Sequence, residues 1–294
     1  RRQRLDDVVL DLLQIEAPQA DLVEWGRMVE RVKNPSSGTV RIAVVGKYTE
    51  LVDAYKSVQQ GLIHGGIAND VKVKIEWVSS ERYEAGALER HFEGFDGLLI
   101  PGGFGDRGIE GMLMAIEWAR ENGLPFFGIC LGLQCAIIEY ARNVSGRTGA
   151  NSLEFDPDTE YPVICLMDSQ QQVTTKGGTM RLGEYAASLQ EGSRVEEGYA
   201  DQEIKERHRH RYEVNNEYRE LFERSGLIMS GTSSDQGLVE VIELPDHPWF
   251  IACQFHPELK SRPNRPHPLF ASFIKAAAAH AAGSQTRAAV GARE

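Results

Sequence analysis

Between residues 40 and 144 the chain alternates short apolar runs with longer stretches in which apolar positions return at helical spacing. VRIAVVG (40–46) is a β-branched run closed by glycine, and DAYKSVQQGLIHGGI behind it has the helical period, so the pair predicts strand then helix. VKVKIEWV (71–78) alternates as a strand, and FDGLLIPGG (95–103) reads as a buried one. IEGMLMAIEWAREN then predicts a helix, LPFFGIC (124–130) a further strand, and LGLQCAIIEYARNV another helix. Strands interleaved with helices of this length require right-handed crossovers. The expected class is therefore α/β, with a mostly parallel central sheet flanked by helices.

The pattern changes at both ends. Residues 1–33 contain two amphipathic helical segments, RLDDVVLDLLQI and DLVEWGRMVERV, parted by the breaker APQA and followed by the linker NPSSG. From 160 to about 256 the chain is strand-rich, with VICLM, TMRLGEY, GLVEVIEL and WFIACQF, and NNEYRELFERSG as its main helical window. An antiparallel addition to the sheet is expected there. HPLFASFIKAAAAHAA closes the fold as a helix, and the Ser-, Gly- and Ala-containing segment 283–294 reads as a flexible tail.

Composition narrows the function classes. In 294 residues, 41% hydrophobic, no apolar run approaches the ~20 residues of a membrane span. Acidic residues interrupt the opening RRQRLDDVVLDLL, so it does not read as a secretory leader, and the missing initiator Met predicts a piece of a longer protein. A formal net charge of -11 argues against nucleic acid or an anionic membrane as the main partner. Cys130, Cys135, Cys165 and Cys253 form no CxxC pair and no metal-ligand spacing, which predicts free thiols in a reducing cytoplasm and no metal site.

One thiol stands apart. Gly128, Cys130 and Gly132 form G-x-C-x-G between a strand and a helix, the arrangement by which G-x-S-x-G raises a nucleophile on a sharp turn. The helix terminus favours a thiolate by only about 0.3 to 2 kcal/mol, too little by itself to ionise a thiol at neutral pH. A base is needed, and QFHPE offers His256 with Glu258 two residues on, Pro257 restricting the chain between them. Cys130, His256 and Glu258 then read as nucleophile, proton shuttle and orienting anion. A packed core thiol is the competing reading.

PGGFGDRG (101–108) also follows a strand. Its glycines match a dinucleotide fingerprint by letter, but the window that should hold the acidic residue of a second strand is still helical. The alternative is that Gly102 and Gly103 let the Gly103 N–H face the thiol and, with that of Leu131, form an oxyanion hole; a plain turn stays open. Gly46-Lys47 resembles the end of a P-loop, but Arg41 stands where its first glycine belongs. ERHRHRYEVN (206–215) makes a poor metal site, since cations separate His208 from His210. It reads either as a basic strand aimed at a carboxylate or as a solvated charge run.

Together these segments resemble the class I, triad-type glutamine amidotransferases. VGKYTELVDAYKSV, GANSLEFDP, TMRLG, RHRHRYEVN and HPLFASFIKAA are similar to the glutaminase domains of the CTP synthase family over roughly residues 38–280. The resemblance implies a flavodoxin-like amidotransferase fold in residues 39–282, with 1–38 as the end of an amidoligase domain and its linker. It implies that Gly103, Cys130, Leu131, Gly132, Leu133, Gln134, Glu154 and Arg211 contact L-glutamine, Glu154 pairing with the α-ammonium and Arg211 with the α-carboxylate. Leu133 stands where the family commonly has methionine, a volume-conserving change. The family's ATP, magnesium and UTP sites belong to the amidoligase half, GTP activates the glutaminase half, and the full enzyme is expected to be a cytoplasmic homotetramer. Phe104 is a candidate for sensing GTP. Other readings are a γ-glutamyl hydrolase or cysteine peptidase on the same fold, or a catalytically silent regulatory domain.

Overall fold

The computed structural model describes residues 3–51, 53–81, 91–166, 180–235 and 237–291. In chain order the first half contains α1 (Leu5–Leu13), α2 (Val23–Lys33), β1 (Thr39–Gly46), α3 (Lys56–Asn69), β2 (Lys72–Ser79), β3 (Gly97–Ile100), α4 (Ile109–Glu121), β4 (Phe126–Ile129) and α5 (Leu131–Asn143). The second half adds β5 (Ala150–Ser152), β6 (Tyr161–Leu166), β7 (Arg181–Leu189), α6 (Arg194–Tyr199), β8 (Glu203–His210) and β9 (Tyr212–Val214). It closes with α7 (Arg219–Arg224), β10 (Ile228–Ser233), β11 (Val239–Glu243), β12 (Phe250–Cys253) and α8 (Pro268–Gly291).

Among the described residues, nine strands form one sheet in the order β2-β1-β3-β4-β12-β11-β10-β7-β8. The first five pair in parallel, and the last four continue antiparallel. Both expectations for the sheet are met, and the seam between the two regimes is β12. The parallel strands are apolar on consecutive positions because both faces are covered. Ile42 and Val44 of β1 pack with Leu62, Phe270 and Phe273 from α3 and α8, whereas Ala43 and Val45 pack with Met112, Ile116 and Ile137 from α4 and α5. Phe126 and Phe127 split the same way, and the Phe127 ring meets Phe270 edge-on at 5.3 Å.

A second sheet, β5-β6-β9, lies beside the first. It matters for the site because Glu154 follows β5 and Arg211 is the single residue between β8 and β9. The two amphipathic segments at the start are helical, but no residue of α1 or α2 is buried, and Leu5, Leu12 and Leu13 are exposed. Strands β5 and β10 and helix α6 were not anticipated. Helix α8 continues to Gly291, into the segment expected as a tail. Residues 167 and 179 of two expected strands, and 292–294 of the tail, lie outside the described residues.

Candidate active site

Cys130 is the first residue beyond β4, at the carboxyl end of the parallel strands, and caps α5. Its backbone has φ 54° and ψ -100°, a conformation that costs a non-glycine residue about 1–3 kcal/mol. Neighbouring hydrogen bonds hold it: the Cys130 N–H donates to the Cys253 carbonyl at 2.7 Å, and its own carbonyl accepts from the N–H groups of Leu133 and Gln134 at 3.0 and 3.2 Å. Close approach explains the flanking glycines. A Cβ at Gly128 would lie 2.8 Å from Ala252 Cβ and from the Gly132 carbonyl, and one at Gly132 would run into the Ile100 carbonyl.

His256 and Glu258 stand opposite. β12 runs parallel to β4 and delivers His256 three residues beyond its end, and the short turn Pro257–Leu259 brings the carboxylate back, as the proline suggested. His256 Nδ1 lies 2.7 Å from Glu258 Oε1. A Cβ at Gly102 would lie 2.9 Å from His256 Cε1 and 3.6 Å from Cys130 Cβ, so imidazole and thiol flank one space above that glycine. His256 Nε2 is buried and makes no hydrogen bond among the described residues. Burial works against the imidazolium, but the nearby Cys130 and the hydrogen-bonded Glu258 carboxylate outweigh it and raise His256 to about 10.

On one side of Cys130 lies a cavity of about 330 Å³ lined by Gly103, Phe104, Gln134, Glu154, His210, Arg211 and Tyr212 as well as the thiol. Four of the expected contact residues therefore join Cys130 here. Arg211 Nε is buried without a hydrogen bond among the described residues, and Glu154 Oε1 accepts from the Gly105 N–H at 2.9 Å. Leu131, Gly132 and Leu133 do not line this cavity. The two leucine side chains sit in the core beneath, which leaves their backbone as the part that can face a ligand. Phe104 is half-exposed at the rim and also borders a second cavity of about 290 Å³, with His256, Glu258 and Arg209.

Strand β8 resolves the two readings of the basic run. Its residues alternate in exposure: Arg207 and Arg209 lie on the exposed side, and Glu206, His208 and His210 point inward. His208 pairs with Glu240 and His210 with Glu213, each at 2.7 Å, while Arg211, past the strand, turns to the cavity.

Two residues near the thiol escaped the sequence reading. Gln254 donates to the Cys130 sulfur at 3.7 Å and accepts from Gln134 Nε2 at 3.4 Å; a fully buried amide inside WFIACQF was its only signal. Lys47, set aside with the failed P-loop, is buried and donates to the carbonyls of Phe104, at 3.0 Å, and Gly105.

The family model for glutamine amidotransferase class-I matches residues 50–276. CTP synthase of Clostridium acetobutylicum is 55% identical over 275 residues, 94% of this chain and 51% of that protein, and that of Desulfitobacterium hafniense is 56% identical over 276 residues, 94% and 52%. The chain thus spans about half the length of these curated relatives. Among solved structures, the glutaminase domain of Trypanosoma brucei CTPS with bound acivicin superposes with a TM-score of 0.76 and 40% identity, covering 81% of this chain and 94% of that one. By sequence over most of its length and by fold, the chain belongs to the class I glutamine amidotransferase family, in the branch of the CTP synthase glutaminase domains.

Proposed function

We propose that this chain hydrolyses L-glutamine to glutamate and ammonia as the glutaminase half of a CTP synthase. The observation that carries the proposal is the strained Cys130, facing His256–Glu258 on one side and, on the other, a cavity bearing both Glu154 and Arg211. A carboxylate and a guanidinium at one cavity suit the two charges of a free amino acid, which the blocked α-groups of an ordinary peptide lack.

In the proposed cycle the Cys130 thiolate attacks the side-chain carboxamide, and the N–H groups of Gly103 and Leu131 hold the oxyanion. Leu131 opens α5, so its N–H has no acceptor within the helix. His256, protonated at neutral pH, gives its proton to the departing ammonia. Neutral after that transfer, it takes a proton from the water that hydrolyses the thioester. Glu258 holds the ring by Nδ1 throughout. Gln134, bonded to the Tyr212 carbonyl at 2.9 Å, positions the substrate's head group.

The remaining activity extends beyond this half-length chain. Residues 39–282 would be the glutaminase unit, joined through 1–38 to an amidoligase domain where ATP, magnesium and UTP bind and the ammonia makes CTP. GTP would activate it at the rim near Phe104, in a cytoplasmic tetramer. Cys130→Ala tests the chemistry: glutamine turnover is expected to fall by roughly 10⁴-fold or more with the fold intact. Retained turnover would reject the mechanism, and cleavage of γ-glutamyl peptides in preference to free glutamine would favour a γ-glutamyl hydrolase.

A further inference from the structure

We propose that Lys47 is the positioning residue of the oxyanion loop: its buried ammonium fixes the direction of the peptide groups that follow Gly103 and so aims the Gly103 N–H at Cys130. The inference rests on the glutaminase reading above. Lys47 follows the end of β1, and its side chain runs under the loop, with Cε 3.9 Å from where a Cβ of Gly103 would stand. Its Nζ donates to the Phe104 and Gly105 carbonyls, and the N–H of Gly105 donates to Glu154 Oε1. The peptide unit joining Phe104 to Gly105 is thereby held at its carbonyl by a cation and at its N–H by an anion, and cannot flip without breaking both.

Such a clamp answers a defect of the loop itself. Gly102 and Gly103 have no side chains to restrict their backbone, yet a donor must be held close to its final direction before the oxyanion forms. The clamp charges its owner for burial: desolvation pushes Lys47 below the usual lysine range, against the pull of Cys135 and Glu154. Glu154 also faces the cavity, so one carboxylate would secure the loop and receive the substrate's ammonium.

The test compares Lys47→Met and Lys47→Arg with the unaltered chain in three assays. These are steady-state glutamine hydrolysis, alkylation of Cys130 by iodoacetamide, which forms no oxyanion, and hydrogen exchange of peptide 101–106. Lys47→Met is expected to lower kcat about a hundredfold with KM and alkylation rate within about threefold, and to speed loop exchange about tenfold or more. Lys47→Arg, which keeps the charge, should recover part of kcat and of the protection. Near-unaltered kcat, unchanged loop exchange, or alkylation falling in step with turnover would overturn the assignment. If the unaltered chain does not hydrolyse glutamine, the glutaminase reading fails, and the exchange arm alone still decides whether Lys47 holds the loop. If Lys47→Met does not fold, Lys47→Gln, which removes the charge but stays polar, decides: kcat and exchange equal to those of the unaltered chain would refute the clamp.

Discussion

Cys130 occupies a backbone conformation that a free chain avoids, and the strands beside it bear the strain. The return is a sulfur placed outside the sheet, against an imidazole whose proton is unusually firmly held. That firmness has a consequence for stability. His256 rises from 6.5 in a free chain to about 10 here, so between those values the folded state binds more protons than the unfolded one. Its contribution is complete below pH about 6.5 and is lost as pH rises through about 10. Thermal melts from pH 7 to 10 should therefore decline more steeply for the unaltered chain than for His256→Gln. Parallel slopes would show that the imidazole is not held by Cys130 and Glu258.

At the scale of elements, β7, β8, β9 and β11 are tied by charges that a β-sheet seldom buries. Arg181 of β7 reaches Glu240 of β11 at 2.7 Å and Glu213 of β9 at 3.3 Å, linking the large sheet to the small one that positions Arg211. Burial opposes ionisation of Glu240, but His208 and Arg181 overcome it and hold the carboxyl below its usual range. Arg181→Met would leave two buried carboxylates short of a partner, and urea denaturation should show a loss of about 3–5 kcal/mol; a loss under about 1 kcal/mol would mean the network is slack. The parallel elements were readable because strands covered on both faces must be apolar on consecutive positions. β10 was not: its sequence IMSGTS lacks both a continuous apolar run and an alternation, and only pairing with β7 and β11 makes it a strand. On β8 the alternation was present but hidden, since the inward positions are Glu206, His208 and His210 rather than hydrocarbons.

Across the whole molecule, the site gathers residues from six stretches of the chain: Lys47, the 102–105 loop, Cys130 with Gln134, Glu154, Arg211, and Gln254 to Glu258. Residues whose chemistry is unusual for their setting were legible, such as a cysteine between glycines or a His-Pro-Glu after an apolar strand. Lys47 and Gln254 act through contacts with backbone or sulfur, which no local spacing reveals. The central claim is that these stretches form a single glutamine-reading nucleophilic centre, and intact-mass and peptide mapping after treatment with a glutamine-mimicking diazoketone tests it most directly. One adduct per chain, located on Cys130 and suppressed by free glutamine, is the predicted result; a folded chain that stays unlabelled, or that is labelled elsewhere or regardless of glutamine, would contradict it.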